Sequence, residues 1–363
     1  MISQVVLCLF VAATAGQVGV TAQRICNNSP NLCNRTYDSI TYLGAHDSPF
    51  VRDVSTGYSS FGDQFFNTST QLDAGVRMLT AQVHAVTTAQ GAQEWHLCHT
   101  LCNLFDVGKL SDWLWEVRTW LDRNPTDVVT IILVNSDNAK AADLMPEFSA
   151  ADIAHYAYVP PFQKPPPVPA DGASAWPALN EMIDQGKRLV SFVASIDPAS
   201  NTAAPYLLNE FDFVWETAYD VSNASGFKCT PDRPPSLDAS MAAAKAAGML
   251  FMMNHFLYWD QAFGIQVPDI RNVQNTNAWD GEGSLGQTLL DCSGQYQRQP
   301  TFVLVDFFNV GPAIDSVDIF NGVKDAVGRT LVTAEVVGGG AGIMEEERSI
   351  TTTKTLKPCK VWL

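Results

Sequence analysis

Residues 40–50, ITYLGAHDSPF, are the stretch on which the fold turns. The segment starts apolar with Ile40, Tyr42 and Leu43, narrows through Gly44 and Ala45, and then delivers His46 and Asp47. Ser48 and Pro49 end it, because proline has no N–H for a strand ladder and disfavours helix before it. A buried strand that runs out in a small residue and then in two titratable ones has the form of a barrel strand opening at its C-terminal mouth. Catalytic groups gather at that mouth in α/β barrels. A loop histidine beside a helix-capping Asp or Ser is the alternative reading of the dipeptide taken alone.

The flanking sequence repeats the form. Strands are expected at 76–83 (VRMLTAQV, followed by His84), 94–100 (EWHLCHT), 128–134 (VVTIILV), 188–194, 211–215, 249–254 and 301–307 (TFVLVDF). The near-continuous apolar runs suit parallel strands covered on both faces. Leu110, Trp113, Leu114, Val117, Trp120 and Leu121 recur at helical spacing within 109–124, which Asn124 and Pro125 end. Further helices are expected at 70–74, 139–155, 179–185, 237–247 and 314–328. Strands alternating with amphipathic helices argue for an α/β fold. The expected architecture is a single TIM-type (β/α) barrel over 23–335, with distortion or incompleteness left open. Residues 160–169 are Pro-rich and aperiodic and read as a surface loop, since the alternation continues past them.

Composition narrows the rest. With 46% hydrophobic and 17% charged residues, the 363-residue chain can bury a large core. A net charge of −16 gives no counterion release on nucleic acid and no attraction to anionic membranes. Residues 1–22 are apolar and end in small residues, as a secretory signal peptide does, although the usual basic start is missing; an anchor helix is the alternative. Residues 336–363 read as a flexible C-terminal tail. Secretion suits disulfides, with Cys26/Cys33 and Cys98/Cys102 as close pairs and Cys229/Cys292 as a longer bridge. Cys8 leaves with the signal and Cys359 is odd. Zinc is the rival for Cys98–Cys102, but there is no second cysteine cluster. Sequons at Asn27, Asn34, Asn67 and Asn223 fit a glycosylated surface.

LGAHDSPF, GVRMLTAQVH, LCHT followed by a helix and NPTDVVTIILVN, and FVLVDFFNVG occur in an order that resembles the phosphatidylinositol-specific phospholipase C X-domain superfamily, most closely its secreted fungal and bacterial branch of phospholipase C-like phosphodiesterases. The resemblance runs from about Cys26 to Ile319. It implies that His46 is the general base on the inositol 2-hydroxyl and His99 the general acid on the departing alcohol. It implies that Asp306 orients His46 and that Asp47 hydrogen-bonds His99. Moving a phosphodiester onto a neighbouring hydroxyl needs one proton removed and one delivered, and imidazoles with a pKa of about 6.5 suit both tasks.

The sequence departs from the family at two places. Metal-dependent relatives carry acidic calcium ligands on the second strand, and metal-independent ones an arginine. Here Thr80 and Gln82 stand there, and a hydroxyl and a carbonyl alone hold Ca²⁺ poorly. No cofactor is therefore expected. His84 becomes a candidate source of positive charge. Gln82, Trp215, Glu216, Asn254 and His255 are candidate pocket residues. Tyr258 and Trp259 could floor a sugar ring, although aromatics near a barrel rim more often serve packing. His96 and Arg77 read as structural. The expected activity is a secreted phosphoric diester hydrolase or lyase of the phospholipase C type, acting on an inositol lipid or a soluble inositol phosphodiester. Peripheral membrane contact, no nucleic acid and a monomeric state go with it. The alternative is a barrel with little or no catalysis, serving as a secreted binding protein. A glycerophosphodiester hydrolase would want metal-binding acids after the first strands, and those are missing.

Overall fold

The computed structural model describes residues 23–169 and 172–332. The expected signal peptide and C-terminal tail, with Cys8 and Cys359, lie outside the described residues. The strands are β1 (Tyr42–Ala45), β2 (Met78–Thr87), β3 (Gln93–Cys98), β4 (Asp106–Lys109), β5 (Val129–Asn135), β6 (Leu189–Ala194), β7 (Leu207–Asn209), β8 (Val214–Glu216), β9 (Leu250–Asn254), β10 (Tyr258–Asp260), β11 (Gln266–Pro268) and β12 (Phe302–Val305). Eight of them form one parallel sheet in the order β7-β6-β5-β2-β1-β12-β9-β8. That is the cyclic order of a (β/α)₈ barrel, opened at one seam. The seam falls between β7 and β8, which are consecutive in the chain and joined by the short helix Glu210–Phe213. The barrel is thus of TIM type and incomplete.

Alternation along the strands sorts side chains into two cores. Tyr42, Met78, Ile132, Val190, Phe192, Leu250, Phe302 and Leu304 face inward and pack with Tyr37 and Trp176. Leu43, Leu79, Ile131, Val193, Phe251 and Val303 face outward onto the helices. Helix Leu110–Arg123 buries the six residues that its spacing marks out. Gly44 points into the crowded interior, where an added Cβ would lie 2.8 Å from Leu304 and 2.9 Å from Met78. Arg77 is buried and pairs with Asp127 at 2.7 Å. It plays the structural part expected of it.

Several boundaries differ from expectation, each for a local reason. The helix expected over 139–155 stops after Ala141–Ala150, because Asp152 adopts a left-handed conformation (φ 52°). The helix expected over 237–247 is only Met241–Ala246, since Asp238 and Ala239 have φ of 49° and 53° and Ser240 caps the start. Gly322 ends the last helix at Asn321. The strand expected over 211–215 begins at Val214, the preceding residues being helical. Strand β7 and the hairpin β10–β11 had no clear signal, each strand being three residues long. No helix among the described residues is long and apolar enough to cross a membrane.

Candidate active site

Barrel order brings β12, β1 and β2 side by side, so whatever follows their C-terminal ends must meet. His46 follows β1 and Asp306 follows β12, paired through Ala45 and Val305. His46 Nδ1 donates to Asp306 Oδ1 at 2.8 Å, which leaves Nε2 as the nitrogen available to a ligand. The ring lies flat on Phe256, with centroids 3.8 Å apart and planes 7° from parallel. Asp47 Oδ2 lies 3.7 Å from His46 Nε2 and 3.5 Å from His99 Nε2. The two imidazoles therefore share Asp47 as a carboxylate neighbour.

The hairpin β2–β3 delivers His99. The Cys98–Cys102 disulfide closes the loop around it, so those cysteines are a clamp and not zinc ligands. The Cys26–Cys33 and Cys229–Cys292 bridges are also formed. Gln82 holds this loop to the centre: its Nε2 donates to Asp47 Oδ2 at 2.6 Å and its Oε1 accepts from the Thr100 N–H at 2.8 Å. Thr80 Oγ1 accepts from the Asp47 N–H at 2.8 Å. Both positions that carry cation-related side chains in the family are thus spent on protein partners. They do not fit Ca²⁺, which takes six to eight oxygen ligands.

Asp63 is the residue that sequence reasoning missed. It sits in the aperiodic segment after β1 and is fully buried. Its N–H donates to the Phe50 carbonyl, and its own carbonyl accepts from the Phe307 N–H. Its carboxylate comes within 3.6 Å of His46 Nδ1 and 3.4 Å of His99 Nε2. Neither oxygen has a hydrogen-bond partner among the described residues. Its only sequence signal is an acid inside a Gly- and Phe-rich loop, which carries no positional information.

The electrostatics follow from burial and crowding. Burial opposes the charged form of His46, but Asp47, Asp306 and Asp63 override it, and its pKa is raised to about 9. Burial lowers the pKa of His99 against the pull of Asp47 and Asp306. Burial, with Asp306 and Asp47 adding to it, pushes Asp63 well above the usual carboxylate range. Asp306 is raised by burial while His46 opposes.

A cavity of about 220 Å³ opens beside this centre, lined by His46, Asp47, Gln82, Phe256 and Tyr258 on one side. Its other side holds Glu210, Glu216, Arg233 and Asn254. Glu216 pairs with Arg233 at 2.6 Å and accepts from Asn254 Nδ2 at 2.7 Å. Burial raises the pKa of both glutamates. Glu210 and Arg233 were not foreseen; Arg233 arrives because the segment after β8 folds back and bonds to the Glu216 backbone.

Some expected residues lie elsewhere. His99 is buried behind Asp47 and does not line the cavity. His84 pairs with Asp137 at 3.4 Å and is not in the lining, so it brings no charge there. Trp259 is outside the cavity, its ring covered by the Arg271 guanidinium at 3.6 Å; Tyr258 lines the cavity instead. The shift of one residue reflects strand alternation in β10. His96 pairs with Asp106 at 2.9 Å, a structural contact.

This arrangement agrees with the comparisons. A family model described as PI-PLC X 1 matches residues 32–321. A PI-PLC X domain-containing protein 1 from Arthroderma benhamiae is 35% identical over 299 residues, covering 82% of this chain and 90% of that one. An uncharacterized secreted protein of the same fungus is 33% identical over 300 residues, covering 82% of this chain and 63% of its own length. Among solved structures, a variant of the Staphylococcus aureus phosphatidylinositol-specific phospholipase C superposes with a TM-score of 0.50 at 12% identity, over 79% of this chain and 94% of that one. The match through residues 32–321, which spans every strand and each carboxylate and imidazole of the centre, places the chain in the PI-PLC X domain family.

Proposed function

We propose that the protein is a secreted phosphoric diester hydrolase or lyase of the phospholipase C type, cleaving an inositol phospholipid or a related phosphodiester by two-histidine acid–base chemistry. The observation that carries this reading is the His46–Asp306 hydrogen bond of 2.8 Å with His99 on the far side of Asp47. The carboxylates around His46 favour its protonated form, and burial disfavours that of His99. The reaction therefore runs from the minority state in which His46 Nε2 is free and takes the proton from a substrate hydroxyl, whose oxygen attacks the adjacent phosphorus. The ester oxygen on the opposite side of phosphorus leaves with a proton that His99 supplies by way of Asp47, the carboxylate standing between His99 and the cavity. Asp306 holds the Nδ1–H and so fixes the tautomer of His46. Glu210, Glu216, Arg233 and Asn254 offer fixed donors and acceptors for the hydroxyls of the leaving or attacking polyol. No step uses a metal ion in this reading.

Lipid access has its own support. Tyr258 lines the cavity, and the hairpin it begins carries Trp259, Ile265 and the fully exposed Phe263 at its tip. An apolar tip on an acidic protein suits shallow contact with an uncharged lipid surface and not attraction to an anionic one.

A second reading, a binding barrel with little catalysis, draws on the burial of His99 and on the loss of cation-related groups at Thr80 and Gln82. The deciding experiment is incubation of the purified protein with phosphatidylcholine vesicles carrying a small share of phosphatidylinositol, and separately with soluble phosphodiesters, in excess chelator, followed by phosphorus NMR. The first reading expects a water-soluble cyclic or free inositol phosphate. An intact fold with no release from any phosphodiester supports the second.

A further inference from the structure

Asp63 has no part in the chemistry above, yet the fold buries it completely at the junction of the two histidines. A buried carboxylate without hydrogen bonds is costly, so a missing partner is the question it poses. His99 Nε2 is equally without a hydrogen-bond partner. The separations around it are 3.4 Å to Asp63 Oδ2 and 3.5 Å to Asp47 Oδ2. Both exceed a normal hydrogen bond. Both match the edge of a tetrahedron around a zinc-class ion, which is about 3.4 Å for bonds of about 2.0–2.2 Å. The three donor atoms lie within 4.8 Å of one another.

The alternative set, His46, Asp63 and Asp306, fits less well. Its His46–Asp306 separation of 2.8 Å is a hydrogen bond and too short for a shared ion. The first set also has the supports that a metal ligand needs. Gln82 orients the Asp47 carboxylate, and His99 Nδ1 lies 3.1 Å from the Thr100 hydroxyl, which can accept its N–H. Asp47 lines the cavity, so the site lies one carboxylate away from the ligand space.

We infer that Asp47 Oδ2, Asp63 Oδ2 and His99 Nε2 form a binding site for one divalent cation of the zinc class. An occupied site leaves His99 neutral, with metal on Nε2 and a proton on Nδ1, so it has no proton to give. Zinc and the protonated acid therefore compete for one imidazole. This consequence rests on the two-histidine reading; the binding does not.

The test uses tag-free, chelator-stripped protein and zinc chloride alone. Calorimetry is expected to show one site, and crystals soaked with zinc to show one anomalous peak bonded to these three side chains. Asp63→Asn should weaken binding at least tenfold; the soaked wild-type crystal decides the matter even if that variant fails to fold. No binding in the micromolar range, or a peak elsewhere, overturns the site. Where the protein cleaves an inositol lipid, zinc at saturation should suppress turnover at least tenfold. Undiminished cleavage with the site filled overturns the competition. A site that fills with zinc on a protein that cleaves nothing even when stripped of metal refutes the functional reading and leaves the metal site standing.

Discussion

The two sides of the cavity are both lined by buried acids, and they differ in what faces those acids. On the β12–β1–β2 side, Asp47, Asp63 and Asp306 surround two imidazoles. On the β8–β9 side, Glu216 meets a guanidinium and an amide. An imidazole changes charge near neutral pH, whereas a guanidinium and an amide do not. In the proposed reading the first side moves protons and the second holds a polar ligand in place. A single small cavity thus separates the work of transfer from the work of recognition.

The largest expected effect tests how each side is anchored. Cys229–Cys292 spans 63 residues and ties the segment carrying Arg233 to helix Leu285–Tyr296. Replacing both cysteines with alanine should cost about 4 kcal/mol in urea unfolding, by the chain-entropy relation. Cys98–Cys102 spans only four residues, so the same replacement there should cost about half as much while loosening His99. Equal costs would break the contrast.

Next comes the transfer side itself. His46→Ala or His99→Ala should each lower turnover by ~10²-fold or more, the usual scale for losing a general acid or base. KM should change little. A variant whose KM rises while turnover holds would move that histidine to the recognition side.

Arg233→Ala should show the converse, a raised KM with turnover nearly kept. It also leaves buried Glu216 without its ion pair, which should cost about 2 kcal/mol once the partial exposure of Arg233 is allowed for. Urea unfolding checks the second figure.

The smallest effect concerns His255, which follows β9 and does not line the cavity. Burial lowers its pKa to about 4, while its Nε2–H donates to the Thr276 carbonyl. The folded state thus keeps it neutral where the unfolded chain, with a pKa of about 6.5, takes up a proton. Stability from this group is present above about pH 6.5 and is lost as pH falls toward 4. Between pH 7.5 and 5.5 the loss should be about 1 kcal/mol. A His255→Gln variant should show a correspondingly flatter dependence of unfolding free energy on pH.

Legibility divided along the same line as the chemistry. His46, Asp47 and Asp306 follow apolar strands directly, so the strand pattern placed them at one mouth before any coordinates were known. His99 was marked by the resemblance of LCHT, since Cys98 and Cys102 by themselves read equally well as a disulfide loop around a structural histidine. Glu216 and Asn254 also end strands and were found that way. Arg233 and Asp63 come from aperiodic segments that fold back over the mouth, and nothing in a loop's composition tells where its middle will lie. Trp259 was misplaced by one residue because a three-residue strand is too short to reveal which of its faces turns inward.

Sequence alone determined the alternating strands and helices, the α/β barrel class and the side chains that close each strand. These are local properties, set by the period of apolar residues and by what breaks it. Tertiary structure alone decided that the barrel opens between β7 and β8, that His99 lies behind Asp47, and that Asp63 joins them. Those outcomes depend on contacts between segments far apart in the chain, whose geometry is fixed only when the loops pack.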